Sequence, residues 1–153
     1  MFGRWGKISM DDYLDTVVFH KKRDFSKEEF KEFMFAQSAL LPDTLHWMID
    51  WKNRHENIKV ISINNESREL NQYRIDKFNL HNLFDAFVSS SVAGMRKPDP
   101  GIFLLALGIA QAKPEECIYF DDRIMLVEAA KKTGIHAYHH ADFKSTKKIV
   151  ESI

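Results

Sequence analysis

The sequence predicts an α/β protein: a Rossmann-like parallel sheet of about four strands, preceded by a helical segment. Three observations predict it. Residues 58–153 alternate strand-like and helix-like stretches four times, the pattern of a doubly wound parallel sheet. Residues 1–53 carry amphipathic helical patterns and no strand signal. Within residues 58–153, Cys117-Ile118-Tyr119-Phe120 runs straight into Asp121-Asp122, and a helical pattern begins at once with Ile124, Leu126, Val127 and Ala130. That is strand, acidic turn, helix, the place where parallel α/β folds bind ligands.

The elements follow in order. Ser9, with Asp12 three residues on, caps a helix near 10–20 through Tyr13, Leu14, Val17 and Val18. Ser26-Lys27-Glu28-Glu29 is a capping box ahead of Phe30, Phe33 and Met34. Pro42 suits the entry to a third helix, carrying Leu45, Trp47, Met48, Ile49 and Trp51 and ending near Asn53. The aromatic stripe of this segment reads first as core packing and second as a binding surface. Ile58–Ile63 is β-branched and bounded by polar residues, so it reads as a strand; a helix follows at about 66–79. Phe84–Ser90 is a short strand with a polar exit, Gly94–Pro100 a loop, and Ile102–Ala110 a helix. After the strand at 117–120 and its helix, Gly134 sits in the position that ends a helix. Ile135–His139 is a further strand, and Ser145 caps a last short helix. The organisation expected is a helical segment over 1–54 and an α/β core over 55–153.

Composition narrows the function classes. The chain has 153 residues, 44% apolar and 29% charged, ordinary values for a globular protein. Lys plus Arg equals Asp plus Glu, at 22 each, so charge gives no reason to expect nucleic acid or an anionic membrane as partner. Cys117 is the single cysteine, which excludes an internal disulfide and fits a reducing cytosol. No apolar run approaches membrane-spanning length, and Met1–Lys7 lacks the apolar core of a signal peptide; the expected location is cytoplasmic.

Three consecutive strands are followed by polar loops: Asn64-Asn65-Glu66-Ser67, then Ser89-Ser90-Ser91 leading to Lys97, then Asp121-Asp122. Parallel strands end on one edge, so these loops should converge. Amide donors, an ammonium and two carboxylates would cradle an anion together with a metal. The bland alternative is that Asp122 caps the next helix, Asp121 is solvated, and Pro98 and Pro100 flanking Asp99 only make a rigid turn.

The ordered set resembles the haloacid dehalogenase-like hydrolase superfamily. Gly94-Met95-Arg96-Lys97-Pro98-Asp99-Pro100-Gly101-Ile102-Phe103 resembles that family's lysine motif and the helix entry after it. Ile118-Tyr119-Phe120-Asp121-Asp122, with Ala129-Ala130 and Thr133-Gly134-Ile135, resembles its acidic motif and following helix. Val60–Asn65 resembles its second motif. Residues 1–53 resemble the helical cap inserted after the first strand, with Gly6-Lys7-Ile8-Ser9 typical of that region. The branch is similar to small-molecule phosphatases with a helical cap. The resemblance implies an aspartate nucleophile on the first strand, an aspartyl-phosphate intermediate, and a second aspartate two residues on as general acid and base. It implies Lys97 and Asn64 as catalytic groups, Asn64, Asn65 and Lys97 as substrate contacts, and Asp121 with Asp122 as ligands of Mg2+. The implied substrate is a small phosphorylated molecule.

Two departures accompany it. Asn64 stands where the family usually has Ser or Thr, with Ser62 two residues earlier on the same strand face. The first motif, an apolar strand ending in Asp-x-Asp, does not occur in this sequence. The nearest pair, Asp12 and Asp15, has the wrong spacing and lies in a helical pattern. The expectation is therefore a hydrolase chain that is truncated, or inactive alone. The alternative is a non-catalytic relative that binds or interacts. In the family the first strand lies between the strands at 58–63 and 117–121; without it two sheet edges stay exposed, for a homodimer or a partner to cover. Met1–Trp5 is too short and glycine-rich to replace that strand.

Overall fold

A computed structural model of the chain describes residues 9–152. The readings of residues 1–8, including Met1–Trp5 as no substitute for a strand, lie outside them. By compactness the chain divides into two units, Met1–Gly94 and Met95–Ile153, and each is described by itself.

The first unit opens with three helices, α1 (Met10–Val17), α2 (Lys27–Ala36) and α3 (Pro42–Asn53). Their starts are where the capping residues place them. Ser9 Oγ accepts from the Asp12 amide at 3.1 Å. Ser26 and Glu29 bond each other's amides reciprocally, and Pro42 lies in the first turn of α3. Ion pairs from Lys27 to Asp15 and from Lys31 to Asp11 join α2 to α1, and Phe19, Phe25 and Phe30 pack ring on ring beside the connection. Leu14 and Trp51 are buried, whereas Tyr13, Phe25 and Phe33 of the aromatic stripe are exposed.

Strand β1 (Ile61–Asn64), helix α4 (Arg68–Lys77), strand β2 (Ala86–Ser89) and a short helix α5 (Ser90–Ala93) complete this unit. β1 starts three residues later than the β-branched run at 58 suggests. The reason is local: the Val60 amide donates to the Asp85 carboxylate at 2.8 Å, a side chain rather than a ladder partner. The polar exit from β2 also differs from the expected loop. Ser90–Ala93 makes one turn of helix, too short to register as a period, and Gly94 ends it at φ +67.

The second unit holds α6 (Pro100–Ala110), β3 (Ile118–Asp121), α7 (Ile124–Lys131), β4 (His136–His139) and α8 (Phe143–Val150). Asp99 caps α6 through the Gly101 amide. α7 ends at Lys131 with Lys132 as its C-cap, two residues ahead of Gly134, whose φ is +90 and where a Cβ would stand 3.1 Å from Pro114 Cβ. The cap of α8 is Asp142, which accepts from the Ser145 amide at 2.7 Å; Ser145, expected as the cap, is the donor. An aspartate one residue ahead of the helix offers a stronger acceptor than a hydroxyl inside it. Ile102 and Phe103 of α6 and Ala130 of α7 are wholly buried.

All four expected strands form, and both pairings are parallel. Hydrogen bonds join them as two pairs, β1 with β2 and β3 with β4, rather than as one continuous sheet. Among the described residues no strand precedes β1. No helix among them is long and apolar enough to cross a membrane.

Candidate active site: a lysine and a carboxylate at the end of β3

The second unit brings together Lys97 and Asp121, two of the residues singled out from sequence. Asp121 is the last residue of β3, and Lys97 lies in the loop before α6. Lys97 Nζ stands 2.6 Å from Asp121 Oδ2, with side chains only 10% and 5% exposed. Burying two charges is costly unless they are paired and otherwise satisfied. Here they are. Tyr119 Oη donates to the same Oδ2 at 2.5 Å and accepts from Lys97 Nζ at 3.0 Å. Asp121 Oδ1 accepts from the Arg123 amide at 2.9 Å.

These contacts set the electrostatics. Burial alone would push the Asp121 carboxyl up, but Lys97, the Tyr119 hydroxyl and the Arg123 amide outweigh it and hold the group below its ordinary value. Burial, then the neighbouring Asp121 carboxylate, pushes the Tyr119 phenol well above its ordinary value, so it stays a neutral donor. The thiol of Cys117, at the entry to β3, is pushed up by burial and by Glu116 and Glu115. That suits a packing residue, not a nucleophile.

Asp122 behaves differently. It is exposed, and its main-chain carbonyl accepts from His139 Nε2 at 3.0 Å. The bland alternative is thus inverted on both points. Asp122 does not cap α7, whose start has no side-chain cap, and Asp121 is buried. The Arg123 amide donates to Asp121 Oδ1, two residues back, rather than to Asp122.

The donor set can be tested against magnesium. Among the described residues no three His, Cys, Asp or Glu side chains gather as a metal cluster. Mg2+ needs less than that: it keeps several waters and takes one or two carboxylates plus phosphate oxygens. Asp121 uses three of the roughly four lone-pair positions of a carboxylate. Oδ2 carries two of these bonds and Oδ1 one, with Asp122 next in the chain. The residues fit the ion as part of its shell.

The other candidates are in the first unit. Asn64 ends β1 and lies opposite Ser89, the last residue of β2. Its Nδ2 donates to Asn71 Oδ1 at 2.7 Å, while its Oδ1 is sealed from solvent without a hydrogen-bond partner. Asn65 follows, half-buried. Ser89 is 1% exposed, and its hydroxyl bonds Ser91 Oγ at 2.9 Å. Asp12 and Asp15, the nearest approach to a first motif, are exposed on α1. Asp12 is tied to Ser9 and Asp15 to Lys27.

Sequence reasoning missed Tyr119 and His139. A signal for the first was present: Tyr119 and Asp121 are two apart on one strand, so they share a face. His139 carried none, since its role depends on β4 ending beside β3.

A family model for haloacid dehalogenase-like hydrolases matches residues 5–134. A phosphorylated carbohydrates phosphatase of Thermotoga maritima is 27% identical over 129 residues, 84% of this chain and 55% of that protein. The haloacid dehalogenase-like hydrolase domain-containing protein 3 of Xenopus laevis is 30% identical over 126 residues, 81% of this chain and 48% of that protein. The chain therefore spans about half the length of these relatives. Among solved structures, a HAD family enzyme of Bacteroides thetaiotaomicron in complex with magnesium and inorganic phosphate superposes with a TM-score of 0.75 at 19% identity, over 89% of this chain and 71% of that one. A HAD phosphatase of Thermococcus onnurineus gives 0.68 at 20% identity, over 93% and 70%.

Proposed function

We propose, on the premise that this chain belongs to the haloacid dehalogenase-like hydrolase family, that it supplies the lysine-and-carboxylate half of a Mg2+-dependent phosphatase site for a small phosphorylated metabolite. The observation that carries this is the sealed Lys97–Asp121 pair at the end of β3. A buried ammonium beside an ionised carboxylate is a pre-formed place for a phosphoryl group and its counter-ion.

In this reading Lys97 neutralises phosphoryl oxygens through its ammonium protons. Asp121 and Asp122 offer carboxylate oxygens to magnesium, which when bound offsets the negative charge of the phosphate. The Asn64 amide donates to a phosphoryl oxygen, with Asn65 beside it. The helical segment 1–54 acts as the cap that selects the substrate.

The attacking aspartate has no candidate in the 153 residues, because no Asp-x-Asp occurs in them. The chain alone is therefore expected to bind and not to turn over. The sequence supports a second reading on the same observation: a non-catalytic module that holds a phosphorylated ligand and is completed by a second copy or a partner.

The test is hydrolysis of p-nitrophenyl phosphate with Mg2+ by the 153-residue chain, beside calorimetry with inorganic phosphate and Mg2+. Little turnover with measurable binding that Asp121→Ala removes supports the proposal. Robust turnover abolished by Asp121→Ala overturns the claim that this chain is inactive alone. Absence of any phosphate or Mg2+ binding overturns the site itself.

A further inference from the structure

Tyr119 stands between the two charged groups and touches both. Its hydroxyl donates to Asp121 Oδ2 at 2.5 Å and accepts from Lys97 Nζ at 3.0 Å. A hydroxyl both donates and accepts, whereas an ammonium only donates and a carboxylate only accepts. Tyrosine is thus the link that fits this pair.

The ring is held as firmly as the hydroxyl. It meets Phe103 edge to face at 5.4 Å between centroids, and Phe103 is wholly buried in α6. Lys97 Nζ also lies 5.6 Å from the centre of the Tyr119 ring, within cation–π range. The lysine, a flexible four-carbon stem, is fixed from two sides. Oδ2 of Asp121 accepts from both Lys97 and Tyr119. Oδ1 has the Arg123 amide.

We infer that Tyr119 is a positioning residue: its hydroxyl pins Lys97 and Asp121 Oδ2 in one arrangement and leaves Asp121 Oδ1 as the oxygen presented to a divalent cation. The inference rests on the metal reading proposed above. Partners of a metal ligand that fix its orientation typically matter about tenfold or more for affinity.

The test uses the full chain, with Mn2+ as a hard-cation probe read by electron paramagnetic resonance. Tyr119→Phe keeps the ring against Phe103 and removes only the hydroxyl. It is expected to weaken Mn2+ binding about tenfold. It should also abolish the exchange-protected 15N signal of the Lys97 ammonium, with little change in the thermal midpoint. Val150→Ala, at a buried position of α8 that shares none of the contacts of Lys97, Tyr119 and Asp121, is the control, lowering the midpoint and leaving Mn2+ affinity unchanged. If Tyr119→Phe leaves either readout as in wild type, the inference is overturned. Asp121→Asn separates the two ideas, since it should abolish Mn2+ binding if the metal reading holds. If wild type binds no Mn2+, the metal reading fails. The Lys97 signal then decides whether Tyr119 pins the pair: loss on Tyr119→Phe upholds the pin, and persistence overturns it.

Discussion

Each half of the chain ends a pair of parallel four-residue strands on two polar residues placed side by side: Asn64 beside Ser89, and Asp121 beside His139. The backbones are alike and the chemistry is not. The first end is neutral, an amide and a hydroxyl, with one amide oxygen sealed and unpartnered. The second is charged, and its carboxylate is met by an ammonium, a hydroxyl and a main-chain amide. The difference teaches that strand geometry provides the position, while a partner delivered from elsewhere in the chain decides whether a charge can be kept there. Lys97 is 24 residues from Asp121. The ion pairs make the same point. Lys97–Asp121 is nearly sealed, whereas Arg74–Glu66 in the first unit has side chains 37% and 21% exposed.

Core truncation should produce the largest effect. Phe103→Ala is expected to cost about 4 kcal/mol, and Leu14→Ala in the first unit about 3 kcal/mol, measured by urea unfolding. Equal losses would remove the distinction between the helix buried beside the Lys97–Asp121 pair and α1 of the first unit.

Next come the two ion pairs. Lys97→Met leaves a carboxylate buried without its ammonium and should cost about 3 kcal/mol. Glu66→Gln should cost no more than about 1 kcal/mol, since its pair is partly screened by solvent. A loss for Glu66→Gln as large as that for Lys97→Met would break the comparison.

The pH dependence sharpens it. Asp121 lies below its ordinary value of 3.8 in the folded chain. It binds fewer protons folded than unfolded, so its stabilisation is full above about pH 4 and drains as pH falls toward its lowered value. In Lys97→Met, burial is no longer outweighed to the same degree, and the acid limb of the stability curve should move to higher pH. Asp85 in the first unit is also lowered, against burial, by Lys52 and the Val60 amide. Because it is largely exposed, Asp85→Asn should change the acid limb less.

The smallest effects should be equal in both halves. Ser67 caps α4 and Asp99 caps α6. Replacing either by Ala is expected to cost about 1 kcal/mol in thermal or urea unfolding. A large asymmetry would mean that one cap does more than satisfy helix amides.

Much of the fold was legible in the residues. Ser9, Ser26 and Pro42 announce three helices because caps act within a turn. The alternation over 58–153 announces four parallel strands because apolar runs bounded by turns carry their own period. The misses have local causes. β1 starts late because Asp85 intercepts the Val60 amide. α5 is one turn long, and Asp142 takes the cap expected of Ser145.

For the site, the sequence by itself determined the residue types and their order: Asn64 at a strand end, then Lys97 in the loop ahead of a helix, then Asp121 and Asp122 at a strand end. Strand ends are set by short-range pattern, so this much can be read along the chain. Only the tertiary structure decided that Asp121 is buried and Asp122 exposed, that Lys97 closes on Asp121 Oδ2, and that Tyr119 joins them. Those outcomes depend on contacts between residues up to 24 apart. They also depend on which carboxylate faces an ammonium that can offset its loss of water. Adjacent aspartates in a sequence are chemically the same; burial and partner make one an ionised, anchored group and leave the other to solvent.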